Sequence, residues 1–220
     1  MDTLSLMKSR HSVRRYQKKP IPQEIRCQLD AYTDELNRTG GLHIQILYDE
    51  PECFSSRMAK YGKFENADNY IAMVGSKSPT LDERCGYFGE LLVLKAQQLG
   101  LNTCWVALTH GKSRAVVDKG EKEVILISLG YGQHSGHERR SKRAGDVSDI
   151  DDAAPEWYRR GIEGALLAPT AVNQQKFRFH RDGDTVAAST PRIGTCLPID
   201  LGIVKCHFEL LAGKENFRWK

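Results

Sequence analysis

The segment Tyr87 to Leu99 carries the most regular pattern in the chain and therefore constrains the fold most strongly. Its apolar residues recur every three or four positions, which is the spacing of an amphipathic helix, and Gly100 supplies a common helix end. Two strand candidates follow, Leu101 to Leu108 and Glu123 to Tyr131. The second contains a nearly continuous aliphatic run of the kind found inside sheets. The centre of the chain is thus predicted to pass from a helix into strands.

Helices and strands alternate in the rest of the sequence as well. Helices are predicted over Met1 to Ser9 and from Pro22 to the glycine pair that ends at Gly41. Leu42 to Tyr48 alternates apolar and polar residues like a half-buried strand, and Asn69 to Gly75 is a further strand candidate. The region between them, Pro51 to Asp68, shows no clear period. This interleaving indicates an α+β or α/β protein.

Length and composition are those of a globular protein. The 220 residues suffice for one sizeable core or for two small lobes that share a core. No apolar run approaches the roughly 20 residues needed to span a bilayer, and Met1 to Lys8 lacks the apolar stretch of a signal peptide. We therefore expect a cytoplasmic protein without a membrane partner.

The cysteines do not suggest a metal centre or a nucleophile. They form no C-x-x-C pair and have no histidine at zinc-finger spacing, so we expect reduced thiols and no metal. No local sequence feature lowers a thiol pKa, so a catalytic cysteine is not expected. The six positions are Cys27, Cys53, Cys85, Cys104, Cys196 and Cys206.

Positive charge is concentrated in one segment. The formal net charge is +4, and much of the excess lies in the run Arg139 to Arg143. Such a cluster suits a phosphate or a nucleic acid, and it is also common in solvated basic loops. Aromatic residues do not interleave with the run, which argues against a platform for single-stranded nucleic acid.

Two weak internal similarities fit a duplication, although two helix-strand units can also match by chance. Leu29 to Asp49 aligns without a gap with Ile162 to Asp182, each with a helix, a loop and an alternating strand. The central helix is similarly matched by Asp200 to Gly213. We therefore predict a first half, residues 1–150, and a shortened second half, residues 151–220, within a single compact domain.

Four polar groups fall close together near the N-terminus. They are Arg10, His11, Ser12 and Arg14. In an extended segment alternate side chains share a face, so Arg10, Ser12 and Arg14 are expected to point together. Two guanidiniums and a hydroxyl suit a phosphate, although basic turns of this kind also occur without a ligand.

A second polar segment, Ala168 to Gln175, follows the predicted helix Trp157 to Leu167. Pro169 ends that helix, and Asn173 and Gln175 then offer amides that both donate and accept hydrogen bonds. A flat heterocycle with alternating carbonyls and ring nitrogens needs such groups. An ordinary polar connection to the next strand is the alternative.

Two shorter segments add to this set. Gly100 to Trp105 runs from a helix end into a strand with a large aromatic, which equally fits a core residue. Ser128 to Gly132 ends a buried strand with glycines, where the backbone can approach a ligand closely before the basic run.

Together these segments resemble the nitroreductase family of FMN-dependent oxidoreductases. Arg10 to Tyr16 looks like its R-x-S-x-R-x-[FY] opening, which holds the FMN phosphate and ribityl chain. Ala168 to Gln175 is similar to its A-P-S-x-x-N-x-Q loop, whose polar groups face the flavin. Leu91 to Trp105 resembles its central helix and G-L-x-T-x-W turn, and Ile127 to Gly132 with Arg143 resembles its G-Y strand end and basic tail.

The resemblance implies an α+β fold with a central, mostly antiparallel sheet flanked by helices. It implies FMN as cofactor, NAD(P)H as electron donor, and ping-pong reduction of a nitroaromatic, quinone or similar small-molecule acceptor. No catalytic side chain is expected, because the flavin carries the chemistry. The implied cofactor-binding residues are Arg10, His11, Ser12, Arg14, Cys104, Trp105, Leu108, Arg140, Lys142, Arg143, Pro169, Thr170, Ala171, Asn173 and Gln175.

The order of the segments departs from the usual family arrangement. There the A-P-S-x-x-N loop follows soon after the N-terminal segment and reaches the flavin of the dimer partner. Here that place holds only the degenerate Leu36 to Gly40, and the loop lies near the C-terminus. This order matches a less common branch in which a shortened second half stands in for the missing subunit, so a monomer and a homodimer both remain open. The alternatives are a flavin-fragmenting or dehalogenating relative, or a non-enzymatic module that binds FMN or nucleic acid.

Overall fold

The helices and strands begin and end largely where the sequence places prolines and glycines. The structure, a computed structural model, describes residues 2–220 and confirms an α+β fold with a mostly antiparallel sheet flanked by helices. Met1, the first residue of the first predicted helix, lies outside the described residues. None of the helices in the described part of the chain combines the length and apolarity needed to cross a membrane.

The helices are α1 (Thr3–Ser9), α2 (Gln23–Gly40), α3 (Glu52–Ser55), α4 (Arg57–Tyr61), α5 (Leu81–Gln98), α6 (Ala144–Val147), α7 (Glu156–Leu167) and α8 (Leu197–Ala212). Two short 3-10 turns span Ala171–Asn173 and Lys214–Asn216. The strands are β1 (Gln45–Leu47), β2 (Asn69–Ser76), β3 (Asn102–Val106), β4 (Glu121–Gly130), β5 (Arg178–Asp182), β6 (Thr185–Ser189) and β7 (Arg218–Trp219).

Glycines end the two long predicted helices as expected. Gly41 follows α2 in the left-handed region, at φ 58°, and its N–H donates to the Asn37 carbonyl. Gly100 follows α5 at φ 79°, where a residue with a Cβ would be strained. Helix α5 begins at Leu81 rather than at Tyr87. The region without a period, residues 51–68, contains α3 and α4, which are too short to repeat an apolar position.

Contacts between residues divide the chain into two compact units. The N-terminal unit comprises Ser9–Leu81 and Leu91–Glu138. The C-terminal unit comprises Met1–Lys8, Asp82–Glu90 and Arg139–Lys220. The two halves predicted from the sequence, residues 1–150 and 151–220, describe a duplication and are a different division from these units. They stay a prediction.

The N-terminal unit is built on a four-stranded antiparallel sheet in the order β1-β2-β4-β3. Strand β2 is buried along nearly its whole length, and Ile71 pairs with Ile127 of β4. The N-terminal segment extends this sheet, because Ser12 forms a parallel bridge with Thr103 of β3. The sheet therefore fixes the backbone on which the predicted phosphate-binding residues lie.

The C-terminal unit contains α7 and α8, the start of α5, and a three-stranded sheet in the order β5-β6-β7. Its backbones approach closely at glycines. A Cβ on Gly202 of α8 would lie 1.9 Å from the Glu83 carbonyl oxygen of α5, and one on Gly164 of α7 would lie 2.5 Å from the His207 carbonyl oxygen. Helix α8 therefore packs directly against both of its neighbours.

The element boundaries agree with the predicted duplication. Continuing the gap-free alignment places Gln23, the start of α2, opposite Glu156, the start of α7. It also places Gln45, the start of β1, opposite Arg178, the start of β5. The sheets differ, however, because β6 pairs in parallel with β7, whereas β2 pairs antiparallel with β4. The duplication stays a prediction.

Candidate functional site

In the N-terminal unit, the segment Arg10 to Tyr16 is held along its backbone. The Val13 N–H donates to the Thr103 carbonyl over 3.0 Å, and the Tyr16 N–H donates to the Glu65 carbonyl over 2.9 Å. Tyr16 also bridges to Gly132. The segment is therefore an extended edge with a fixed backbone.

The side chains of this segment do not alternate strictly. Arg10 is 4% exposed and Val13 is fully buried, whereas Ser12 and Arg14 are exposed. His11 is half-buried, and Gly136 passes so close that a Cβ there would meet the His11 Cβ at 2.4 Å. Arg10 is thus packed inward, whereas Ser12 and Arg14 are exposed. That these three side chains point together stays a prediction.

All three predicted phosphate-binding side chains influence the ionisation of Cys104 of β3. Burial raises the pKa of this thiol, while the positive charges of Arg14 and Arg10 and a hydrogen bond with Ser12 act in the opposite direction. The net effect is a raised pKa, so Cys104 is a neutral buried thiol at ordinary pH. Cys104 therefore hydrogen-bonds to Ser12 and senses the charges of both arginines without offering a thiolate.

Tyr16 anchors the segment from inside the core. Its hydroxyl donates to the Val13 carbonyl over 2.6 Å and lies 2.7 Å from the Ser128 Oγ of β4. A Cβ on Gly130 would lie 2.9 Å from the Tyr16 ring, so the glycine makes room for it. Burial raises the pKa of Tyr16 well above its ordinary value, so the hydroxyl keeps its proton.

The two remaining candidates of this unit lie farther along the chain from Ser12. Trp105 lies on β3 and is half-buried. Leu108 follows the end of that strand and is 75% exposed. The position of Trp105 and Leu108 beside the flavin stays a prediction.

In the C-terminal unit, the polar segment after α7 is a strained loop. Pro169 is buried and ends the helix, after which Val172, Asn173 and Gln175 adopt φ values of 47°, 54° and 45°. Such a conformation costs on the order of 1–3 kcal/mol for each non-glycine residue, and it persists only where other contacts enforce it. The Val172 side chain is 91% exposed.

The amides of this loop hold the basic segment. Asn173 Oδ1 accepts from Arg139 Nη1 over 2.8 Å, and Asn173 Nδ2 donates to the Arg140 carbonyl over 2.9 Å. Gln175 Oε1 accepts from the Lys142 N–H over 2.9 Å, and Gln175 Nε2 donates to the Arg140 carbonyl over 3.0 Å. Thr170 joins the set, because its Oγ1 accepts from the Gln175 N–H over 3.0 Å. The structure therefore brings together most of the candidates of this unit.

The basic residues of this segment divide into two roles. Arg139, which is not among the predicted cofactor-binding residues, donates to the Leu166 and Ala168 carbonyls and so holds the end of α7. The side chains of Arg140, Lys142 and Arg143 are exposed, and Lys142 Nζ donates to the Gln175 carbonyl over 2.7 Å. In a run of similar cations, no sequence signal separates the structural arginine from its neighbours.

Sequence reasoning also missed Asp200, in the first turn of α8. Its carboxylate is 3% exposed and accepts from the Ala171 N–H over 2.9 Å and from Gln174 Nε2 over 2.7 Å. Burial raises the pKa of Asp200 to about 6, against the opposing effect of these two donors. The sequence does contain one signal for this residue: Asp200 is an acid among the apolar residues that begin α8.

The comparisons with known proteins identify the family. The family model described as "Putative TM nitroreductase" matches residues 2–212. The chain belongs to this nitroreductase family. The comparison with curated proteins found no match.

Solved structures of nitroreductases share the fold. A Thermotoga maritima protein described as a "putative nitroreductase" is 22% identical, with a TM-score of 0.70 over 98% of this chain and 85% of that chain. An FMN-dependent nitroreductase from Clostridium difficile is 16% identical, with a TM-score of 0.50 over 70% of this chain and 99% of that chain. A Clostridium acetobutylicum protein described as "Putative NADH Oxidase" is 17% identical, with a TM-score of 0.51 over 68% of this chain and 99% of that chain. At these identities the likeness supports the fold.

Proposed function

We propose that this protein is an FMN-dependent NAD(P)H oxidoreductase that reduces nitroaromatic, quinone or similar small-molecule acceptors. One observation carries the proposal: in a member of the nitroreductase family, Ser12 and Arg14 are exposed on an edge whose backbone is fixed. The names of two proteins of similar fold, an FMN-dependent nitroreductase and an NADH oxidase, support the choice of cofactor and electron donor.

The donor set at this edge fits the phosphate of FMN. A guanidinium donates two parallel hydrogen bonds to phosphate oxygens, and a hydroxyl adds a third. Arg14 has no carboxylate partner among residues 2–220, whereas its neighbour Arg15 lies 3.7 Å from Glu65. The Arg14 charge therefore remains available for an anion, on a backbone that needs little ordering when the ligand binds.

When bound, FMN supplies the hydride chemistry, so the chain's own residues bind and orient. NAD(P)H and the acceptor are proposed to use one cleft in turn, in a ping-pong cycle. Cys104 is not proposed as a nucleophile, because burial raises its pKa and keeps it protonated. Its proposed role is to fill the space behind Ser12 and Arg14.

The hydrogen bonds of the C-terminal unit reduce the number of residues proposed to contact the flavin ring. Both Gln175 Nε2 hydrogens have acceptors, the Arg140 carbonyl and Asn173 Oδ1. The Thr170 hydroxyl hydrogen and one amide hydrogen of Asn173 have no acceptor among the described residues. Thr170 and Asn173 are therefore proposed as the ring contacts, and Gln175 as the support of their loop.

The proposal is tested by the visible absorption spectrum of the protein after incubation with FMN and desalting. Wild type is expected to retain flavin, and Arg14→Ala is expected to bind FMN on the order of ten- to hundredfold more weakly, as for a lost charge-assisted hydrogen bond. Arg15→Ala is the matched control, since Arg15 is also exposed but pairs with Glu65. It is expected to bind FMN like wild type.

Oxidation of NADH and NADPH by the flavin-loaded protein then tests turnover. A wild type that retains no flavin would refute the proposal. Retained flavin without NAD(P)H oxidation would instead favour a relative with different chemistry on the same fold. Equal loss of FMN binding in Arg14→Ala and Arg15→Ala would show that general positive charge, rather than the Ser12–Arg14 edge, attracts the cofactor.

A further inference from the structure

The Asp200 carboxylate makes its hydrogen bonds to the loop that follows α7. It accepts from the Ala171 N–H over 2.9 Å and 3.2 Å, one distance to each oxygen, and from Gln174 Nε2 over 2.7 Å. The same Gln174 nitrogen donates to the Thr195 carbonyl over 2.6 Å. Helix α8 thus reaches the backbone and a side chain of the loop through one buried acid.

The loop needs such a tether because its backbone is strained. Val172 and Asn173 follow Ala171 directly and adopt positive φ values, and Gln175 does so as well. Non-glycine residues hold this conformation only where neighbouring contacts enforce it. Asp200 holds one side of the strained turn, and Arg139 holds the other through Asn173 Oδ1.

We propose that Asp200 is the positioning residue of the loop Thr170 to Gln175, and that it couples closure of this loop to the uptake of a proton. The coupling is a property of the C-terminal unit alone. Its consequence for flavin binding rests on the function proposed above, through the ring contacts of Thr170 and Asn173.

The direction of the coupling follows from burial. Burial raises the pKa of Asp200 to about 6, although Gln174 and Ala171 donate to it. Opening the loop would hydrate the carboxylate and return its pKa towards the ordinary value of 3.8. The closed loop therefore binds the proton more tightly than the open loop, so protonation favours closure and ionisation favours opening.

The charged groups around Asp200 do not reverse this direction. Cys196, at the start of α8, has its pKa raised by burial and by the charges of Asp200 and Asp82. It is therefore neutral when Asp200 titrates. Lys205 of α8 is paired with Glu83 of α5 over 2.6 Å. On the loop side, Arg139 stays charged at every relevant pH, so the tether through Asp200 is the one that titrates.

The experiment is hydrogen exchange of the Ala171 amide in protein without flavin, corrected for the intrinsic pH dependence of exchange. With pKa values of about 6 closed and 3.8 open, wild-type protection is expected to fall about tenfold between pH 5 and pH 8. Asp200→Asn, which cannot ionise, is expected to show a flat profile. Asp152→Asn, at an exposed position of the same unit, should keep the wild-type profile.

A wild-type profile that is flat, or that rises with pH, would overturn the coupling, and this result does not depend on whether any variant folds. The positioning role is tested separately by FMN affinity, with Asp200→Ala expected to weaken binding about tenfold, as for one lost charge-assisted hydrogen bond. Unchanged affinity would overturn that role. A wild type that binds no FMN would refute the proposed function, while the exchange profile would still decide the coupling.

Discussion

Replacing Tyr16 by Phe is expected to loosen the predicted phosphate-binding edge without altering any exposed group. The Tyr16 side chain is 1% exposed, and its hydroxyl donates to the Val13 carbonyl over 2.6 Å beside the Ser128 hydroxyl. The substitution leaves the Val13 carbonyl buried without this donor. Such a loss costs about 1–3 kcal/mol. Because Ser128 can still donate to the Cys104 carbonyl over 3.4 Å, we expect a middle value of about 2 kcal/mol.

Denaturant or thermal unfolding measures this loss. For a chain of this size, about 2 kcal/mol corresponds to a decrease in Tm of roughly 4–8 °C. Tyr61→Phe, at a position that is 81% exposed, is the matched control and should stay within about 0.5 kcal/mol of wild type. Because Val13 lies between Ser12 and Arg14, FMN binding should also weaken in Tyr16→Phe.

Combining Tyr16→Phe with Ser128→Ala separates the two hydroxyl contacts. The double variant should lose less stability than the sum of the single variants, with a coupling of about 1 kcal/mol, since the two hydroxyls lie 2.7 Å apart. A Tyr16→Phe protein as stable as Tyr61→Phe would refute the view that this hydroxyl holds the segment.

Two further predictions concern packing and thiol reactivity. Gly202→Ala should destabilise the protein by about 3 kcal/mol or more in thermal unfolding, because its Cβ would lie 1.9 Å from the Glu83 carbonyl oxygen; Gly145→Ala, with open space around it, should have little effect. Equal stability of the two variants would contradict the close approach of α5 and α8. In native protein, the exposed Cys27 should react quickly with a thiol reagent. Cys104, which is buried and has a raised pKa, should react only when the protein unfolds. Fast labelling of both cysteines would contradict the burial of Cys104.

The order of the elements was predictable because local signals mark their ends. Pro22 before α2 and the glycines Gly41 and Gly100 after α2 and α5 act within a few residues, so the sequence shows them directly. Helices α3 and α4 were not predicted, because four- and five-residue helices show no period. The burial of Arg10 was also missed, since alternation along a strand does not report what packs on each side.

The missed residues of the candidate site share one physical reason. Asp200 binds Ala171, which is 29 positions away, and Arg139 binds Leu166, which is 27 positions away. Contacts of this separation leave no periodic trace in the sequence. Ser12 and Arg14, by contrast, are close together in a short motif. Because a hydroxyl and a guanidinium suit a phosphate, they could be chosen as candidates from the sequence alone.

In each unit, a buried residue supports the groups that are proposed to contact FMN. Tyr16 holds the Val13 carbonyl behind Ser12 and Arg14, and Asp200 holds the Ala171 N–H behind the exposed turn. Groups that bind a ligand must be held within a fraction of an ångström, which requires a supporting layer of hydrogen bonds. The supports differ in one respect that matters for function. Burial raises the pKa of Tyr16 above any physiological pH, whereas that of Asp200 lies at about 6, so only the second support responds to acidity.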